Sequence, residues 1–149
     1  VILVGNGERN ILKTVKRMEK ISEHISYTEA TATSKKLPNI PSDKELEAMK
    51  LVALLCFEPK RKWYGKPLKV NSFFRSKEVN KAVGGASTSQ HLFGEAIDLT
   101  TGNKEDNKKL FEWAKSNLTY DQILDEYDYS WIHISYRSGK NRMQVLHIK

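Results

Sequence analysis

The sequence predicts an α+β fold, with an antiparallel sheet flanked by helices in a single domain that carries a cleft. Three observations predict it. Helical periodicity lies in the first half and the middle of the chain, and alternating apolar segments crowd into its last third. Short turns, not crossover helices, join those last segments. At 149 residues the chain fits one domain, large enough to bury a core without crosslinks. Cys56 is the only cysteine, so no internal disulfide can form. It sits in the apolar run Leu51–Phe57 and reads as a buried, inert thiol.

Taken in order, residues 1–17 are basic and patternless, and read as an N-terminal arm, either disordered or not native. The folded domain is expected over 18–149, with Met18, Ile21, Ile25 and Tyr27 opening the core. Thr28–Thr31 suits one helical turn, and Pro38 and Pro41 mark an extended connection. Ser42 and Glu45 form a capping box, and Leu46, Met49, Ala53 and Phe57 recur behind them at helical spacing. This scaffold helix is expected to end before Pro59. Gly65-Lys66-Pro67 is a turn, and Leu68–Phe73 alternates as a strand. A short helix begins at Ser76 and runs to Val83, where Gly84-Gly85 stops it. A polar loop, Ala86–Gln90, follows, then a strand at Ala96–Thr100. Asn103 caps a helix whose stripe is Leu110, Trp113, Ala114 and Leu118. Strands at Tyr120–Tyr127, Trp131–Arg137 and Met143–Ile148, joined by turns, complete a meander.

Composition excludes several classes. A chain 39% hydrophobic and 29% charged is ordinary for a globular protein. No apolar run approaches the roughly 18 residues a membrane span needs. The opening Val1–Val4 is too short for a signal peptide and lacks a basic start. The net charge of +7 suits anionic partners. The lysines are scattered, however, with no basic tract interleaved with aromatics. Nucleic acid, acidic wall polymers and lipid headgroups would all suit that charge, which reads as general attraction; no nucleic-acid site, no membrane partner and a monomer are expected.

One stretch carries chemistry: Ser89-Gln90-His91-Leu92-Phe93-Gly94-Glu95-Ala96-Ile97-Asp98. Together with His133 it offers two imidazoles and a carboxylate. Catalytic zinc takes three such ligands and keeps one position open for water. On its strand, His133 shares a face with Trp131 and Ser135, opposite Ile132 and Ile134, where a site-lining residue belongs. Spacing alone leaves ordinary polar and core roles open.

The surrounding residues sharpen this. Ser89-x-His91-x-x-Gly94-x-Ala96-x-Asp98, followed by Trp131-Ile132-His133, resembles the zinc D-alanyl-D-alanine carboxypeptidases. That group includes VanX- and VanY-type peptidases and phage endolysins that cut L-alanyl-D-glutamate bonds. Ser72-Phe73-Phe74-Arg75-Ser76 is similar to its Ser-Gly-Tyr-Arg-Ser segment, and Val79-Asn80 and Val83-Gly84-Gly85 to its continuation. Asp121–Leu124 and Asn141-Arg142 fit as well, so the resemblance runs from about Ile21 to the C-terminus. It implies one zinc per chain, held by His91, Asp98 and His133. Arg75 would steady the oxyanion, and Ser89 and Gln122 would bind substrate.

The general base departs from part of the pattern. VanX-type members carry a glutamate three residues before the last histidine, where this chain has Ser130. Serine is no base at neutral pH. Glu126, on the preceding strand, is the candidate, since Gln122, Leu124 and Glu126 share a face. The related Hedgehog signalling domain also carries a glutamate on the strand before its zinc histidine. Asp121, Asp125 and Asp128 are the alternatives. His24 and His147 have no ligand-like neighbours in the sequence and read as surface or satisfied core residues.

The expectation is a zinc metallopeptidase that cuts stem or cross-bridge peptides of bacterial peptidoglycan with zinc-activated water. Its rival is a non-catalytic, zinc-containing wall-binding relic. Without a signal peptide, it would be made in the cytoplasm and act on the cell wall as a phage or prophage product.

Overall fold

A computed structural model describes residues 5–7 and 20–149. Most of the expected arm at 1–17, and Met18, lie outside the described residues. Strands β1 (Lys20–Ser22) and β2 (Ile25–Ser26) form a small hairpin that sequence periodicity does not announce. Helix α1 (Tyr27–Thr31) follows, with the Ser26 hydroxyl accepting from the Glu29 amide at its start.

The scaffold helix α2 (Asp43–Val52) begins with the predicted capping box, both arms of which are made. It does not end before Pro59. The chain widens into a π-helical turn over Ala53–Phe57 and continues as α3 (Glu58–Tyr64), ending at Gly65 with φ 74°. Pro59 is tolerated because it falls in the first turn of α3. There the regular ladder has already given way, with Glu58 N donating to Ala53 O. Met49, Val52, Ala53, Cys56 and Phe57 from this long rod are fully buried.

Strand β3 (Lys69–Ser72) leads to α4 (Lys77–Ala82), capped by Ser76, and then to a single 3-10 turn over Gln90–Phe93. Strand β4 (Ala96–Thr100) and helix α5 (Lys104–Asn117), capped by Asn103, come next. Strands β5 (Gln122–Glu126), β6 (Trp131–Ser135) and β7 (Gln144–Ile148) complete the chain. The sheet order is β3-β4-β6-β5-β7. The first four strands pair antiparallel, as expected, but β7 runs parallel to β5.

The C-terminal strands are therefore not a simple meander. Strand β6 is already paired on both edges, by β4 and β5, so β7 cannot pair with the strand it follows and takes the outer edge of β5 instead. Asp121 fixes the entry of β7. Its Oδ1 accepts from Arg142 N at 2.9 Å and Nε at 3.0 Å, and its Oδ2 accepts from Nη2 at 2.7 Å.

The pleat divides the sheet into two faces. Ile97, Leu99, Ile123, Ile132 and Ile134 point into the core with Met49, Leu110, Phe111 and Ala114. The intervening residues Asp98, Leu124, Glu126 and His133 lie on the other face, which carries the site.

Candidate metal centre

Register brings the predicted ligands together. Asp98 on β4 lies directly opposite His133 on β6. His91 arrives on the 3-10 turn, which is capped by Ser89 Oγ accepting from His91 N at 3.3 Å. The turn closes at Gly94, φ 70°, where an added Cβ would stand 2.5 Å from Glu45 O and 2.8 Å from Met49 Cγ. Only glycine lets it seat so closely on α2.

The donor atoms of His91, Asp98 and His133 all lie within 4.8 Å of one another. His91 Nε2 is 3.2 Å from Asp98 Oδ2, and His133 Nδ1 is 2.8 Å from Asp98 Oδ1. His91 and Asp98 are buried, and His133 is part-buried. The chemistry of this set fits a cation. His91 Nδ1 lies 2.6 Å from Phe73 O. A carbonyl can only accept, so Nδ1 carries the proton and, in the neutral ring, Nε2 presents a lone pair. That lone pair faces a carboxylate, and a metal ion between them turns a repulsion into two bonds. A histidine whose other nitrogen donates to a backbone carbonyl is the usual support of a zinc ligand.

Electrostatics agree. Burial alone would push the Asp98 carboxyl up, but the positive charge that His91 and His133 carry when protonated outweighs it and holds the carboxyl well below the usual carboxylate range; a cation among the three donors acts in the same sense. Asp98 stays ionised and available as a ligand.

Arg75 joins the cluster. Its Nη2 is 3.5 Å from Asp98 Oδ2, its Nε donates to Ser72 Oγ at 3.1 Å, and its backbone amide donates to His91 O at 3.1 Å. Asn80 Oδ1 accepts from Nη1 at 3.5 Å, and Asn80 Nδ2 donates to Ala86 O at 2.9 Å. Gly85 makes room for this contact, since a Cβ there would meet Asn80 Oδ1 at 2.1 Å and Arg75 Nη1 at 3.2 Å. The sequence includes Asn80 and Gly85 in the family-like segment but signals no role for them. The Phe73 carbonyl, a backbone group, leaves no signal at all.

Glu126 is part-buried on the same face, two residue pairs beyond Leu124–His133. Burial and then the Asp98 charge raise its carboxyl above the ordinary glutamate value. The alternatives lie elsewhere. Asp121 is bound to Arg142, Asp125 to His147 and the Tyr129 amide, and Asp128 is exposed beside Lys104. The Ser130 hydroxyl donates to Tyr127 O at 2.7 Å. Gln122 shares the Glu126 face, but its carboxamide donates to Gln144 Oε1 at 2.6 Å.

The remaining histidines, His24 and His147, lie at the surface as expected, but both have carboxylate neighbours. His147 pairs with Asp125. His24 Nδ1 stands 2.7 Å from Glu58 Oε2, and with Glu23 the two form a second, more exposed set of donor groups. The β1–β2 hairpin turn creates this neighbourhood by laying His24 against the start of α3, a contact between residues 34 apart in sequence.

Comparison with known proteins accords with this geometry. The zinc D-Ala-D-Ala carboxypeptidase of Streptomyces albus G is 51% identical over 39 residues, which are 26% of this chain and 15% of that protein. The chain thus matches only a small part of that relative's length. A model of the Peptidase M15 family matches residues 13–135, nearly the whole fold including all three donor residues. The chain belongs to the Peptidase M15 family.

Proposed function

We propose that His91, Asp98 and His133 hold the zinc ion and that the enzyme hydrolyses peptide bonds of bacterial peptidoglycan at D-alanyl-D-alanine-type stems. The observation that carries this is the placement of the His91 ring. Its Nδ1 is committed to Phe73 O at 2.6 Å, and its Nε2 faces Asp98. Bound at this triad, zinc supplies a Lewis acid that polarises a carbonyl and acidifies water toward a pKa of roughly 7.

The chain's own groups do the rest. Glu126, its carboxyl raised by burial and by Asp98, accepts a proton from the attacking water and returns it to the leaving amine. Arg75 is anchored through Ser72 and Asn80, so its guanidinium is a fixed cation beside the carbonyl oxygen as negative charge develops. Ser89 and Gln122 line the approach and hydrogen-bond the substrate. The net charge of +7 draws the enzyme to anionic wall polymers. Among the described residues no helix is long and apolar enough to cross a membrane.

The named relative is a D-Ala-D-Ala carboxypeptidase, which favours removal of the terminal D-alanine over an endolysin-type internal cut. The test uses zinc-loaded protein on a purified stem pentapeptide ending in D-Ala-D-Ala, with products identified by mass spectrometry. Release of D-alanine that falls about 10²-fold or more in Glu126→Gln supports the mechanism. Internal cleavage would make it an endopeptidase. Zinc binding without hydrolysis of stem or cross-linked peptides would favour the wall-binding relic.

A further inference from the structure

The β5–β6 connection has an unusual backbone. Tyr127, Asp128 and Tyr129 follow one another at φ 50°, 55° and 58°. Side chains with a Cβ seldom enter this left-handed region singly, and three in succession are rarer still. Such strain persists only where the surroundings over-determine it, and it gathers at functional sites.

The surroundings here do over-determine it. Tyr127 N donates to Ile148 O at 2.8 Å, and Ser130 N to Glu126 O at 3.0 Å. Tyr129 N donates to Asp125 Oδ1 at 3.2 Å. Asn107, only 1% exposed, donates to Tyr129 O at 2.8 Å from α5. Across the turn, Ser130 Oγ donates to Tyr127 O at 2.7 Å. These bonds converge on the segment between Glu126 and Trp131, which face each other across the strand pair. The chain leaves Glu126, the last residue of its strand and paired with Trp131 and Ile148, directly into the strained residues.

We propose that Ser130 is a positioning residue: its hydroxyl locks the left-handed turn that holds Glu126 in place beside the ligand triad. Serine at this position is then no vacancy in the machinery. It secures the carboxylate that enters from the opposite strand. The inference rests on the reading of Glu126 as general base.

The test compares Ser130→Ala, Ser130→Thr, Glu126→Gln and the double variant, all zinc-loaded, on the same stem pentapeptide. Amide hydrogen exchange is followed in parallel. Ser130→Ala is expected to lower kcat about tenfold or more with KM little changed, since a misplacement of about 1 Å costs up to about 10²-fold. Ser130→Thr, which keeps the hydroxyl, restores most of the rate. In the Glu126→Gln background, Ser130→Ala adds nothing, because both changes act through one group. Exchange at the Tyr127 and Ser130 amides quickens in Ser130→Ala while His133 stays protected. Ser130→Cys, similar in size but a poor donor, repeats the test if the alanine variant is unstable.

Unchanged exchange at the turn, or an unchanged kcat in Ser130→Ala, overturns the proposal. So does an equal further loss in the Glu126→Gln background. A wild-type rate in Glu126→Gln alone removes the base assignment and this proposal with it. If the wild-type protein hydrolyses nothing, the functional reading fails, and exchange alone decides whether Ser130 locks the turn.

Discussion

Gly94→Ala gives a sharp test of how the metal centre is seated. The residue closes the turn that carries His91, at φ 70°. An alanine there costs about 1 kcal/mol for the left-handed backbone. Its Cβ would also stand 2.5 Å from Glu45 O and 2.8 Å from Met49 Cγ. Glu45 O is helix backbone and Met49 is fully buried, so neither yields easily. Overpacking of this kind costs about 1–3 kcal/mol, which brings the total to about 2–4 kcal/mol. At about 3 °C per kcal/mol for a chain of this size, Tm falls by about 6–12 °C. The assay is calorimetry on metal-free protein, so that zinc linkage does not mask the loss. Gly65→Ala is the control: its φ is 74° but nothing lies within 4 Å of the added Cβ, so it reports the backbone cost alone. If Gly94→Ala proves no worse than Gly65→Ala, the close seating on α2 is wrong.

The remaining predictions concern the edges of the fold. The Arg142 guanidinium beside Asp121 holds its carboxyl down at about 2. Because this is below the unfolded value of about 3.9, the ionised pair stabilises the fold above about pH 4. That contribution is lost as pH falls through about 2. Arg142→Ala should therefore move the acid-unfolding midpoint upward and leave Tm unchanged only below about pH 2; an unaltered midpoint would refute the role of the pair. Asp128→Gly should raise Tm by about 3 °C, because glycine accepts the left-handed backbone and relieves up to about 1 kcal/mol of strain. The ion pair it removes, Lys104–Asp128 at 4.0 Å, is exposed and worth little. A lower Tm in Asp128→Gly would show that the turn is not strained there.

Much of the site is legible in the amino-acid sequence because its signals are local. The capping box of Ser42 and Glu45, the alternation that puts Asp98 and His133 off the core face, and the shared face of Leu124 and Glu126 all follow from periodicity. What periodicity misses depends on distant partners. The pairing of β7 with β5 and not with β6 depends on β6 being taken on both edges, a property of the whole sheet. The helix passes Pro59 because a π turn absorbs the missing donor, and propensity alone predicts a stop. The Phe73 carbonyl that sets the His91 tautomer has no side-chain identity to read. Ser130 reads as a gap in the expected pattern until its bond across the turn to Tyr127 is visible.

The central claim is that His91, Asp98 and His133 together hold zinc. Metal analysis by mass spectrometry, on protein purified without added metal, tests it most directly, with His133→Ala and Asp98→Asn beside it. The account predicts one zinc per chain in the native protein and its loss in both variants. A native protein that takes up no zinc even on titration would contradict it. So would variants that keep the full complement, since the ion would then lie elsewhere, with the Glu23, His24 and Glu58 set the first place to look.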